Sequence, residues 1–242
     1  MKASFGGVFV KLRRLGWLLA GIGLLDVVLI VEILCVVLCP MDRVKTGAAG
    51  EAAEPKFVAL TFDDGPNREY TEMLLDGLKE RGVKASFFLL GECLDGNEEV
   101  VKRMAEEGHL IGVHGMEHTD LTIEPLSDAL SQLGKAKKQM EEIAGTSVEY
   151  VRPPYGSWNE TLQNAVGENL KLRPVFWDVD SLDWELQDTW KIVQKVERDV
   201  ENGDIILMHD EFSTSVEAAL RIIDNLMAKG YTFVTANELV VD

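Results

Sequence analysis

Cysteine is nearly missing from this 242-residue chain: it has three, Cys35, Cys39 and Cys93, with no Cys-x-x-Cys pair and only one beyond position 40. A disulfide framework and a thiolate zinc site are both unavailable, so any metal must be held by oxygen and imidazole. Cys93, standing alone, reads as a small buried hydrophobe. Positive charge is also short, with 24 Lys and Arg against 41 Asp and Glu and a net charge of −17. Such a chain repels phosphate backbones, which argues against nucleic acid as a partner. The deficit is uneven: residues 1–45 hold six basic and three acidic residues, leaving 18 basic and 38 acidic for residues 46–242. The basic end and the acidic body are different physical objects. The chain has neither a fixed-period repeat nor a low-complexity tract. What it does have is 46% hydrophobic and 27% charged residues, enough to bury a sizeable core.

Leu15 to Cys39 is an apolar run of 25 residues interrupted by Asp26 and Glu32. At about 1.5 Å per residue it can cross a hydrocarbon layer of roughly 30 Å, which predicts a spanning helix. Lys11, Arg13 and Arg14 precede it, while Arg43 and Lys45 follow it and are offset by Asp42. This asymmetry places the amino terminus in the cytoplasm and the body outside, as a single-pass membrane protein. The alternative is a cleaved signal peptide, cut at the small residues around Ala48-Ala49-Gly50 and giving a secreted protein; the run is longer than the usual signal core. Asp26 and Glu32 each cost a few kcal/mol at mid-bilayer unless neutralised or facing a partner helix. The expected organisation is a cytoplasmic tip and anchor over 1–40, a linker over 41–55 and one domain over 56–242.

Within that domain short β-rich runs alternate with amphipathic ones. Phe57–Phe62, Ala85–Leu90, Leu110–Val113, Val148–Val151, Pro174–Trp177, Asp204–Met208 and Thr232–Thr235 are the expected strands. Helical patterns cover Glu69–Arg81, Glu98–Glu107 after a cap at Asn97, Leu126–Ala144 ending at Gly145, Thr189–Val200 after Asp188, and Val216–Lys229 ending at Gly230. Strands that alternate with helices imply a parallel sheet with right-handed crossovers, rolled toward a barrel.

The chemistry-bearing residues cluster at the carboxyl ends of these strands, where α/β barrels place their active sites. Thr61-Phe62-Asp63-Asp64-Gly65-Pro66 ends the first strand with two carboxylates and a forced turn; read blandly, it is an acidic turn. His114-Gly115-Met116-Glu117-His118 follows the third strand. Two imidazoles at i and i+4 converge on one ion, with an Asp as third ligand of an open catalytic site. Glu117 reads as solvated, because HExxH sites put their Glu directly after the first His, and His109 reads as structural. Arg152-Pro153-Pro154-Tyr155-Gly156 follows the fourth strand and holds its Arg and its backbone N–H groups rigidly. Asp180-Ser181-Leu182-Asp183-Trp184 and Leu207-Met208-His209-Asp210 follow the fifth and sixth, and Trp184 reads either as core or as a platform for a sugar or acyl group.

In that order the five segments resemble the five motifs of the polysaccharide deacetylase family, the NodB-type domain of carbohydrate esterase family 4, over essentially all of residues 56–242. The resemblance implies a distorted (β/α)7 barrel holding one divalent ion, usually zinc, with cobalt or another transition metal as alternatives. It implies hydrolysis of N-acetyl groups from amino sugars in chitin-type oligomers or peptidoglycan, and an outward-facing anchor favours peptidoglycan. Residue by residue, Asp63 matches the general base; Asp64, His114 and His118 match the metal ligands. Arg152 matches the arginine that steadies the base, and Tyr155 the residue whose backbone N–H meets the oxyanion. His209 matches the general acid and Asp183 its carboxylate partner, with Trp184 and Leu207 forming the acetyl pocket. The second motif departs from the family, which commonly has Ser or Thr after the first His and Pro after the second; here they are Gly115 and Thr119. The difference bears on loop rigidity and predicts altered metal affinity with the chemistry retained. Two other functions fit the same residues: O-acetyl ester hydrolysis on xylan, and an inactive, membrane-tethered glycan-binding protein. No protein partner is implied.

Overall fold

Lys56–Asp63 forms β1, and its last six residues are buried, as a strand covered on both faces requires. The computed structural model that shows this describes residues 54–240. Strand β1 has three parallel neighbours: β2 (Ser86–Leu90), β7 (Ile205–His209) and, along its first half, β8 (Tyr231–Val234). Beyond β2 lie β3 (Leu110–Gly115), β4 (Tyr150–Val151) and β5 (Arg173–Pro174), and beyond β7 lies β6 (Val179–Asp180). Every pairing is parallel. Among the described residues β5 and β6 do not pair, so the expected barrel is a half-barrel, open on that side.

The helices supply the crossovers: α1 (Arg68–Arg81), α2 (Glu98–Glu106), α3 (Leu126–Ala144), α4 (Glu160–Leu170), α5 (Asp183–Leu186), α6 (Thr189–Asp199) and α7 (Ser213–Ala228). Local signals explain their ends. The Asn67 side chain accepts from the Glu69 and Tyr70 N–H groups at the start of α1, and Gly82 ends it at φ 65°. The Asp188 carboxylate caps α6 through Lys191 N–H, and Gly145 closes α3 at φ 69°. Asn97 does precede α2, but its side chain caps nothing; Nδ2 donates instead to the carbonyls of Cys93 and Pro66. Leu74, Leu75, Leu78, Leu133, Ile222 and Ile223 face the sheet, fully buried against Phe62, Phe87 and Leu89.

Three further expectations change. Pro174–Trp177 is not one strand: β5 ends at Pro174, and β6 starts separately at Val179. Helix α4, capped by the Asn159 side chain on Leu162 N–H, had no counterpart in the sequence reading. Cys93 is half-buried rather than buried. The expected anchor over 15–39 and nearly all of the expected linker lie outside the described residues; among those described, no helix is long and apolar enough to cross a membrane.

Candidate active site

Register assembles the site. Asp63 at the end of β1 pairs with His209 at the end of β7, and Val113, just before His114, pairs with Val151, just before Arg152. Four chemical groups from strands far apart in sequence therefore share one rim. Alternation along a strand would send Asp63 and Asp64 to opposite faces. Asp64 avoids this by adopting a left-handed backbone, φ 70°, which ends the strand and turns its carboxylate back. Behind the turn, Gly65 has no room for a side chain, since a Cβ there would lie 2.7 Å from Asp210 Oδ1.

Asp63, Asp64, His114, His118, Tyr155, Trp184, Leu207 and His209 line one cavity of about 440 Å³. Arg152 lies beneath it, bonded to Asp63, and Asp183 lies behind His209. Sequence reasoning assigned no site role to Trp177, Asp180, Pro153 or Glu211, which complete the lining. Asp180 and Pro153 sat inside motifs already singled out, whereas nothing in local sequence marked Trp177 or Glu211.

Arg152 is fully buried. Its Nη1 donates to Asp63 Oδ1 at 2.9 Å and to Thr61 Oγ1 at 2.6 Å, Nε to the Val175 carbonyl at 3.2 Å, and Nη2 to the Phe176 carbonyl at 3.1 Å. The guanidinium also stacks on Phe88, 4.2 Å from the ring centroid. So held, it fixes one oxygen of Asp63. Burial pushes the Asp63 carboxyl above its ordinary value, and the charge and hydrogen bond of Arg152 pull against that shift.

His209 has the opposite arrangement. Its Nδ1–H donates to Asp183 Oδ1 at 2.8 Å, and its backbone N–H to Oδ2 at 2.8 Å. Burial opposes the imidazolium, but the Asp183 hydrogen bond and charge outweigh it, and His209 is pushed up to about 9. It is a cation at neutral pH. Asp183 is buried yet held below its ordinary value, because burial is overcome by the bonds from His209.

Asp64, His114 and His118 form a third group, whose ligand atoms all lie within 4.8 Å of one another. Asp64 Oδ1 is 3.3 Å from His114 Nε2 and 3.6 Å from His118 Nε2, is buried, and has no hydrogen-bond partner. His114 Nδ1 donates to the Arg152 carbonyl at 2.7 Å, which leaves Nε2 as the lone-pair nitrogen. Burial lowers His114 to about 3, so no imidazolium proton relieves the contact. One carboxylate oxygen and two imidazole nitrogens brought this close could hold a cation, and two imidazoles with one carboxylate suit zinc with a position left open. His118 also packs edge-on against Tyr155, 4.4 Å between centroids. Tyr155 is left-handed at φ 59°.

The remaining expectations separate cleanly. Glu117 is exposed, and His109 is buried away from the cavity, accepting Ala85 N–H at its Nδ1. Gly115 adopts φ 130°, and a Cβ there would lie 2.7 Å from the Glu117 carbonyl oxygen, so this loop needs the residue that departs from the family pattern.

A family model described as polysaccharide deacetylase matches residues 50–175. The peptidoglycan-N-acetylglucosamine deacetylase of Listeria monocytogenes serotype 1/2a is 37% identical over 198 residues, 82% of this chain and 42% of the relative. The peptidoglycan-N-acetylmuramic acid deacetylase of Bacillus subtilis is 38% identical over 191 residues, 78% of this chain and 40% of the relative. The chain thus spans about two fifths of the length of these curated relatives. The solved structure of peptidoglycan deacetylase PdaC from Bacillus subtilis is 38% identical, superposes with a TM-score of 0.73, and covers 77% of this chain and 90% of that one. With a model match over just over half of its length and a shared half-barrel at this identity, the chain belongs to the polysaccharide deacetylase family.

Proposed function

We propose that this domain hydrolyses N-acetyl groups of amino sugars in peptidoglycan, with a divalent cation, zinc by preference, held by Asp64, His114 and His118. The observation that carries the reading is the pair at the ends of neighbouring strands on the cavity rim: the Asp63 carboxylate of β1, fixed by the buried Arg152, and the His209 imidazolium of β7, fixed by the buried Asp183. Two titratable groups whose surroundings prepare one to take a proton and the other to give one form an acid–base pair. The names of the relatives support the substrate.

When bound, the cation supplies Lewis acidity toward the acetyl carbonyl and the attacking water. Asp63 takes the proton of that water through the oxygen that Arg152 does not occupy. The Tyr155 backbone N–H faces charge developing on the carbonyl oxygen, held by the rigid Pro153-Pro154 turn. An amine anion is too poor a leaving group to depart alone, so His209 delivers a proton to nitrogen, and Asp183 stabilises the imidazolium until transfer. Leu207, nearly buried, and Trp184, 52% exposed, bound the space for the acetyl methyl and present an aromatic face to the sugar. The basic residues ahead of the apolar run support an anchored domain on the outer face of the membrane; protease added to intact cells with that face accessible should digest it, and protection until lysis would reverse the orientation.

The reaction is tested by acetate release from N-acetylglucosamine oligomers, peptidoglycan and acetyl xylan, with and without a strong chelator. Release from peptidoglycan that stops on chelation and returns with zinc is the expected result. Turnover of acetyl xylan alone would make it an O-acetyl esterase, no turnover would favour the binding-protein reading, and full activity in metal-free protein would overturn the cation's role.

A further inference from the structure

The two histidines of the cation group are held very differently. His114 is locked by its hydrogen bond to the Arg152 carbonyl, whereas no group among the described residues bonds the His118 ring; it is positioned by its loop and by edge-on contact with Tyr155. That loop, residues 115–119, has glycine where a side chain would clash and no proline after the second His, so its shape must be imposed from outside.

Gln132, on α3, is placed to impose it. Its Oε1 accepts Met116 N–H at 3.1 Å, midway between the histidines, and lies 3.6 Å from where a Cβ on Gly115 would be. Its Nε2 donates to Thr119 Oγ1 at 3.2 Å and to Glu124 Oε2 at 2.7 Å. Thr119 Oγ1 in turn donates to Glu124 Oε1 at 2.6 Å. The amide's acceptor and both donors are used, and a flipped amide would oppose its NH₂ to Met116 N–H, so the network admits one orientation. From the other side Glu92 N–H donates to the Met116 carbonyl at 2.9 Å.

We propose that Gln132, acting through Glu124 and Thr119, is the positioning residue for His118 and sets the affinity of the Asp64–His114–His118 group for a divalent cation. This rests on the cation reading above. Residues that orient a metal-binding histidine typically change affinity by about 10- to 100-fold when removed. Here the effect falls on the ligand that has no hydrogen bond of its own.

The test uses the full chain and cobalt(II) as probe, reading its visible absorption and its dissociation constant by competition with a chromophoric chelator. Gln132→Leu should weaken cobalt binding about 10- to 100-fold and alter the band shape, with Asp63→Asn as a control that leaves binding in place. Thr119→Val should do the same to a smaller degree, and Thr119→Ser should restore both readouts, which a purely structural effect would not predict. If Gln132→Leu fails to fold, the Thr119 pair decides alone. Folded Gln132→Leu or Thr119→Val with wild-type affinity and spectrum overturns the positioning role while leaving the cation reading intact. Failure of the wild type to bind cobalt, or binding unaffected by His114→Ala, overturns both.

Discussion

Replacing Asp183 by Asn should disable this domain mainly on the alkaline side of neutrality. The carboxylate accepts three N–H donors: the His209 ring, the His209 backbone and the Trp184 backbone, at 2.8, 2.8 and 3.0 Å. An amide of the same shape has one acceptor oxygen and no charge, so it must turn its own NH₂ toward one of those donors. With the opposing charge gone, burial governs, and the imidazolium drops from about 9 toward or below its ordinary value of 6.5. At about pH 8 a group of pKa about 9 is about nine-tenths protonated and one of about 6.5 about one-thirtieth, so acid-dependent turnover should fall about 30-fold there and less than about twofold near pH 6. Acetate release from N-acetylated oligomers across the pH range, with an NMR titration of the His209 ring on the same samples, makes the measurement. The stability sign follows from the same shift. A raised folded-state pKa contributes stability below the unfolded value that is lost as pH rises through about 9. The wild type's advantage over the variant should therefore contain a component of at most about 3 kcal/mol near pH 6 that vanishes toward pH 10. An alkaline limb and a ring titration that both stay in place in Asp183→Asn would refute the dyad.

Asp63→Asn should lower turnover by about 100- to 10,000-fold with metal retained, whereas Asp64→Asn should lose metal; metal content measured beside rate checks this, and the reverse pattern would exchange the two roles. Arg152→Met should cost about 3–5 kcal/mol in urea unfolding because it strands a buried carboxylate, and Asp63→Asn added to it should restore part of that loss; additivity within about 0.5 kcal/mol would mean the pair is not coupled. Burial lowers His109 from 6.5 to about 4, so the unfolded chain binds the extra proton between those values and stability falls as pH drops through them, by up to about 3 kcal/mol. His109→Asn, which keeps an acceptor for Ala85 N–H, should lose that slope, and parallel stability curves for the two proteins would count against it.

The site's residue types were legible because each sits beside a strand end that local pattern reveals: an apolar run, then a carboxylate, imidazole or guanidinium, followed by Gly or Pro in the motifs at Asp63-Asp64, His114 and Arg152. What local pattern does not carry is geometry that depends on a distant partner. The left-handed turn at Asp64, which lets adjacent carboxylates serve different groups, is written nowhere in the Asp-Asp pair itself. Gln132 reads in sequence as one more polar position on α3, and its role exists only because the loop after β3 folds against it. Helix α4 stayed hidden because its pattern is weak: only Leu162 and Val166 are buried, and Gly167 interrupts it. Glu211 follows the last motif without belonging to it, and enters the cavity only when β7 is laid beside β1.

The split of the fifth strand has a cause that joins fold to chemistry. Residues 174–177 have the composition of a strand, and Val175 N–H does donate to the Val151 carbonyl at 2.8 Å, continuing the ladder one step past Pro174. At that point the carbonyls of Val175 and Phe176 are taken by Arg152. Backbone acceptors that would have continued the ladder instead bind the guanidinium that holds Asp63. A buried Arg has five N–H donors to satisfy; Asp63 and Thr61 accept two bonds, and two more acceptors come from a strand that stops being a strand. The sheet remains open between β5 and β6 on the side where this exchange occurs, and Trp177, just past the two diverted carbonyls, enters the cavity lining. The same substitution of side-chain for main-chain hydrogen bonding therefore breaks the ladder, fixes the Asp63 carboxylate and helps shape the wall of the cavity. Sequence composition cannot separate these outcomes, because all three follow from where one guanidinium comes to rest.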